Sequence, residues 1–149
     1  MSVFDHIISG AITASFVHQD AHCVAFMDIR PIARGHVLVV PRLSVATLSE
    51  LDAPLHAHIW DVATLVGEAQ RRALGSSAQH LLVNDGRDAS QSVPHVHIHV
   101  IPRYRGDHFA TVARMLWHIA KLPFPPREDA AQRRVLEQQA RLIAAEMKP

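Results

Sequence analysis

The sequence predicts an α+β fold with a mostly antiparallel sheet, one long central helix and a C-terminal helix. Three observations carry this. Short apolar runs bounded by turn residues lie on both sides of one long amphipathic segment. That segment has clear start and stop signals. A second helical stretch follows a proline-rich breaker near the C-terminus.

In chain order, Val3 to Gly10 is apolar with polar breaks and fits a short N-terminal helix or a turn. Cys23 to Asp28 is apolar and partly β-favouring, which predicts a strand. Pro31 and Gly35 mark a loop. His36 to Val40 is apolar on both faces, a buried strand ended by Pro41. Asp52 can cap a helix with Pro54 in its first turn. Leu55, Ile59, Val62, Leu65, Val66 and Ala69 then recur at helical spacing as far as Ala73, and Gly75 stops the helix. Leu81 to Val83 predicts a third strand, Asn84-Asp85-Gly86 a turn, and His95 to Ile101 a fourth strand. Pro123, Pro125 and Pro126 separate the body, residues 1–110, from an extension, 111–149. In the extension, Arg127 to Met147 is helical by composition, with Val135, Leu142 and Ile143 in its apolar stripe.

Composition narrows the function. The chain has 149 residues, 48% hydrophobic and 19% charged. That excludes a disordered chain and allows one domain with a real core. Lys plus Arg is 15 and Asp plus Glu is 14, a near-neutral balance that argues against a nucleic-acid binder. A single cysteine precludes an internal disulfide and a cysteine-rich zinc site. No apolar run is long enough for a membrane span. Met1 to Gly10 shows no basic leader followed by an apolar segment, so the expectation is a cytoplasmic protein. The unusual number is 12 His.

His95-Val96-His97-Ile98-His99 is the centre of the reading. Alternation on a strand puts the three imidazoles on one face, about 7 Å apart, with Val96, Ile98 and Val100 facing a core. Two chemistries fit: neutral imidazoles holding zinc, or an imidazole nucleophile. The preceding loop offers Asn84, Gly86, Ser90, Gln91 and Ser92 as donors for phosphate oxygens, which favours a phosphate site over a metal. His56 and His58 do not share a helix face and read as surface residues. Cys23 reads as core. His6, His22 and His118 read as surface or packing residues.

The run Gln91-Ser92-Val93-Pro94-His95-Val96-His97-Ile98-His99-Val100-Ile101 resembles the signature of the histidine triad (HIT) family. Cys23 to Pro31 resembles the family's nucleoside-binding strand, Gly35 to Pro41 its next strand, and Val83 to Gly86 the strand end before the phosphate loop. The resemblance covers about Val3 to Asp107. It implies a two-layer domain, an edge-to-edge homodimer, and hydrolysis or transfer at the α-phosphate of a purine nucleotide conjugate. By motif position, His97 is the nucleophile, His95 holds and polarises it, and His99 contacts the phosphate and leaving group. His36 lies near the same phosphate. Asn84, Gln91 and Ser92 bind phosphate oxygens, Asp28 accepts from the ribose hydroxyls, and Phe4, Ile7 and Phe26 line the base pocket.

Departures from the family pattern refine this. Some bacterial members hold a structural zinc with an N-terminal Cys-x-x-Cys and a His after the Pro-Lys/Arg turn. Here Ser2-Val3-Phe4-Asp5 and Ser44 stand at those places, so no structural zinc is expected. Nor is any other cofactor, with magnesium entering only on a substrate. His at position 99, where the uridylyltransferase-like branch has Gln, favours hydrolysis over nucleotidyl transfer. Pro102 to Asp107 and Phe109 resemble the Fhit-type and bacterial branch. A nucleotide-binding module with little turnover is the rival reading; the complete triad argues against it.

Overall fold

The computed structural model describes residues 1–121 and 129–148. Five antiparallel strands form one sheet in the order β1-β2-β3-β5-β4: β1 (Phe16–Gln19), β2 (Cys23–Met27), β3 (Val37–Pro41), β4 (Ala78–Leu82) and β5 (Ile98–Arg103). Among the described residues four α-helices accompany it: α1 (Val3–Ile8), α2 (Ala53–Leu74), α3 (His108–Lys121) and α4 (Ala130–Ala145). The α+β class and antiparallel sheet match the sequence reading. β1 and α3 were not foreseen by it.

Period-two alternation splits the sheet's side chains between two layers. Cys23, Ala25, Met27, Val37, Val39, Ile98 and Val100 meet α2 and α4 in the main core. Val24, Phe26, Leu38 and Val40 point the other way and meet Phe4 and Ile7 of α1. The register places Phe26 opposite Leu38 and Leu38 opposite His99, so the histidine face lies on the α1 side.

The helix ends follow their sequence signals. The Asp52 side chain accepts from Leu55 N–H and Gly75 closes α2 at φ 74°. That left-handed value strains any residue with a Cβ. α1 has a reciprocal Ser2–Asp5 capping box.

Two boundaries and one face differ from expectation. β5 begins at Ile98 rather than His95, because Val96 N–H donates to Val45 O and not to β3. β4 begins and ends earlier than Leu81–Val83. On α4 the buried residues are Leu136, Ala140 and Ile143, an i, i+4, i+7 stripe. Val135 and Leu142, expected to be covered, are 50% and 42% exposed. The breaker Pro123, Pro125 and Pro126 and the expected helix start at Arg127 lie outside the described residues.

α4 packs on α2 and on the β1–β2 edge, and it also holds the loop after β2. Gln132 Nε2 donates to Ile29 O (2.9 Å), and Gly35 N–H donates to Gln139 Oε1 (3.2 Å). Among the described residues no helix is long and apolar enough to cross a membrane.

Candidate active site

A cavity of about 430 Å³ opens between α1, β2, the loop before β5, and α3. Phe4, Ile7, Phe26, Asp28, Ser92, His97 and His99 are on its wall. Phe4 meets Phe26 edge-on at 5.5 Å and His97 edge-on at 5.1 Å, so one aromatic ring links the apolar end to the imidazoles.

Hydrogen bonds assign the ring protons. His97 Nδ1 donates to His95 O at 2.8 Å. Its Nε2 therefore carries the lone pair in the neutral ring. Burial holds the His97 pKa below its usual value, so the ring is neutral at pH 7. His36 Nδ1 accepts from Ile32 N–H at 3.1 Å. His36 Nε2 then bears the proton and donates to His99 Nδ1 at 3.0 Å. His99 Nε2 is left as an N–H donor. Burial pushes His36 down to about 3 and His99 down to about 2, so both rings are neutral. The His97 and His99 ring centres are 4.9 Å apart. A lone pair and an N–H donor thus stand on adjacent rings lining one cavity.

His95 holds His97 through its backbone carbonyl, not its ring. The His95 imidazole donates from Nε2 to Pro41 O (2.8 Å) and accepts at Nδ1 from the Ser2 hydroxyl (2.8 Å). It is fully buried and off the cavity wall. Gln91 is also occupied within the loop. Its Oε1 accepts from Gly86 N–H (2.8 Å), and its Nε2 donates to Ala46 O (2.8 Å) and Val93 O (3.0 Å). It fixes the loop that presents Ser92. Asn84 is not on the wall. Asp28 is 8% exposed at the cavity edge, its Oδ1 accepting from Arg30 N–H at 2.8 Å. Burial pushes its carboxyl up. Sequence reasoning missed His118: α3 brings it to the wall beside Asp28 and His99. No signal in its neighbourhood marks it.

Two donor sets near the site bear on metal binding. Ser2, Asp5 and Ser44 gather beside His95, with Ser44 Oγ donating to Asp5 Oδ2 at 2.8 Å. Two hydroxyls in place of thiolate and imidazole do not fit a structural zinc. Asp28, His36 and His99 offer ligand atoms within 4.8 Å of one another. The hydrogen bonds just described already use His36 Nδ1 and both facing ring nitrogens.

A model of the HIT domain matches residues 9–106. The chain belongs to the HIT domain family. An uncharacterised HIT-like protein of Methanocaldococcus jannaschii is 42% identical over 108 residues, 72% of this chain and 82% of that one. An adenylylsulfatase of Arabidopsis thaliana is 36% identical over 70% of this chain and 53% of its own length. An asymmetrical bis(5'-nucleosyl)-tetraphosphatase of Schizosaccharomyces pombe is 40% identical over 56% and 46% respectively. Among solved structures, a hypothetical histidine triad nucleotide-binding protein of Sulfolobus tokodaii superposes with TM-score 0.79 at 28% identity, over 97% of this chain and 91% of that one. A zinc-bound histidine triad family protein of Mycobacterium smegmatis gives 0.76 at 31% identity, over 97% and 91%. The family therefore includes named nucleotide hydrolases, and this chain is similar to them over part of its length.

Proposed function

We propose that this HIT protein is a nucleotidyl hydrolase. It cleaves at the α-phosphate of a purine nucleotide conjugate, a dinucleoside polyphosphate or a nucleoside phosphoramidate. The observation that carries the reading is the His97 Nε2 lone pair held in the cavity beside the His99 Nε2–H donor. The apolar end with Phe4, Ile7 and Phe26 takes the base, and Asp28 the ribose hydroxyls.

In this mechanism His97 Nε2 attacks the α-phosphorus. A P–N bond forms and the bond to the leaving group breaks; the His99 Nε2–H donates a hydrogen bond to the departing atom, which takes any proton it needs from solvent. Water then attacks the same phosphorus, its proton passes to solvent, the P–N bond breaks, and neutral His97 is regenerated with release of a nucleoside monophosphate. Two displacements at one centre replace one harder one. The Ser92 hydroxyl and the His99 N–H stabilise charge on the phosphoryl oxygens. The protein is expected to work in the cytoplasm, without a cofactor, on small-molecule substrates and not on nucleic acid or membranes.

We also infer a homodimer. α3 leaves Phe109, Leu116 and Trp117 89%, 66% and 62% exposed, and β4 has one unpaired edge. Light scattering of the purified chain tests this.

The deciding experiment for the chemistry is acid quenching with an α-labelled dinucleoside polyphosphate and a phosphoramidate, followed by mass spectrometry. A nucleotidyl adduct on His97 supports the reading. Tight nucleotide binding with neither adduct nor turnover on either substrate overturns it in favour of a binding module.

A further inference from the structure

A second cluster of metal-ligand side chains stands on the opposite side of the sheet from the triad. Cys23 belongs to the core layer under α2, whereas His97 lies with Phe4 on the α1 side. β1 supplies His18, the turn after it Asp20, the start of β2 Cys23, and α2 supplies His58. All three partners converge on one oxygen. Asp20 Oδ2 is 2.7 Å from His18 Nε2, 2.8 Å from His58 Nε2 and 3.5 Å from Cys23 Sγ. The other oxygen, Oδ1, accepts from the N–H groups of His22 (2.7 Å) and Cys23 (2.8 Å), which fixes the carboxylate in the turn. Arg42 Nε donates to Asp20 O at 2.7 Å and braces the same turn.

We propose that this cluster is a binding site for a zinc-class divalent cation, held by His18 Nε2, His58 Nε2, Cys23 Sγ and Asp20 Oδ2. Two imidazoles, a thiol and a carboxylate are the ligand set that a borderline-soft tetrahedral ion takes. The His18, Asp20 and Cys23 ligand atoms already lie within 4.8 Å of one another. A tetrahedral ion with bonds of about 2.0–2.3 Å needs its ligands some 3.3–3.8 Å apart; His58, which stands outside that group of three but 2.8 Å from Asp20 Oδ2, must turn its partly exposed ring toward the ion to complete the set. Two backbone N–H groups already fix the Asp20 carboxylate; two imidazoles and a buried thiol on its other oxygen are what an ion adds a use for. Burial and the adjacent carboxylate push the Cys23 thiol up to about 12, so binding at neutral pH must expel its proton to solvent. The ion would tie the β1–β2 turn to α2. It takes no part in the triad chemistry, and the site does not depend on that assignment.

The test uses the full chain, stripped with chelator, titrated with zinc chloride against a chromophoric competitor and with cobalt chloride by absorption. We expect one zinc per chain with Kd below about 1 μM, a thiolate-to-cobalt charge-transfer band, and proton release measured in weakly buffered dye. His58→Gln changes a partly exposed ligand outside the core and should weaken binding at least tenfold. Cys23→Ser should abolish the charge-transfer band. His99→Gln, on the other side of the sheet, should bind zinc as the unaltered chain does. Absence of binding at micromolar zinc overturns the proposal. So does wild-type affinity in His58→Gln, or loss of binding in His99→Gln. His58→Gln decides alone if Cys23→Ser does not fold.

Discussion

His36 Nε2 lies 3.0 Å from His99 Nδ1, and this contact sets which nitrogen of His99 is left for the substrate. The order is dictated from outside the pair. Ile32 N–H occupies His36 Nδ1, so the His36 proton must sit on Nε2 and the His99 proton on the cavity side. His97 is oriented oppositely by the His95 carbonyl. Two histidines two residues apart are thereby given opposite ring faces toward the cavity, one a lone pair and one an N–H donor.

Loss of the His97 imidazole should remove the covalent route while leaving the cavity walls in place. His97→Ala is expected to lower turnover at least about a thousandfold, about 4 kcal/mol of barrier, with nucleotide affinity changed by less than about fivefold. Steady-state kinetics and calorimetry with a monophosphate product check this. His97→Gly should regain activity with added imidazole. Retention of more than a tenth of the activity would reassign the nucleophile.

His36→Asn should act through His99 without touching substrate. The Asn side chain can still accept from Ile32 N–H, but it cannot reach His99 as an imidazole does. The proton on His99 is then no longer fixed on its cavity side. The expected result is a loss in kcat of about tenfold to a hundredfold with little change in KM, and an altered acid limb of the pH profile. An unchanged kcat would show that the His36–His99 contact is only structural.

Acid should destabilise the fold in a defined window. His36 and His99 are held down to about 3 and about 2, below the ordinary histidine value near 6.5. A depressed histidine contributes stability that is fully present above the unfolded pKa and is lost as pH falls below it. The loss therefore begins near pH 6.5 and continues down toward pH 3. Each such histidine adds a slope of about 1.4 kcal/mol per pH unit in that window. Asp28, pushed up by burial, opposes the trend from the ordinary carboxylate value up to its raised value. Denaturant melts from pH 7 to 4 measure the slope, and His99→Gln should reduce it.

Much of this was legible in the sequence because its signals are local. His-x-His-x-His alternation put Val96, Ile98 and Val100 in the core and His97 and His99 on the other face. Asp52 and Gly75 bracketed α2 within a residue. What the sequence did not show depends on distant partners. α3 was missed although Phe109, Val112, Met115 and Leu116 recur at helical spacing; of these only Met115 packs on the Ile32–Ile101 cluster, while the others are exposed. β1 is only four residues, two of them polar. Motif position implies that His95 holds and polarises His97, but it does not show which atom makes the contact, and here that atom is the backbone carbonyl. The α4 stripe was misplaced by one position at Val135 and Leu142, since an Ala at 140 completes the buried row as well as a larger residue would.

His118 should matter to binding more than to chemistry. It closes the cavity from α3, outside the region matched by the HIT model, on the same wall as Asp28 and His99. His118→Ala is expected to raise KM about threefold to tenfold with kcat within about twofold, the pattern of a lost uniform binding contact. An equal loss in kcat would place the ring at the reacting phosphate instead.

Ile143→Ala tests whether α4 belongs to the same cooperative unit as the site. Ile143 is fully buried in the main core, in line with Leu136 and Ala140. Truncation removes a transfer term and leaves a cavity, so a cost of about 2–5 kcal/mol is expected in denaturant melts. Leu142→Ala, one residue away but 42% exposed, should cost less than about 1 kcal/mol. The contrast separates packing from helix propensity, because both changes place Ala in the same helix. α4 also holds the loop from Asp28 to His36 through Gln132 and Gln139. Loosening of α4 should therefore reach the site before global unfolding, seen as faster amide exchange at Gly35 and a rising KM in mild denaturant. If Ile143→Ala melts as one transition with unchanged exchange at Gly35, α4 stabilises the fold without positioning that loop.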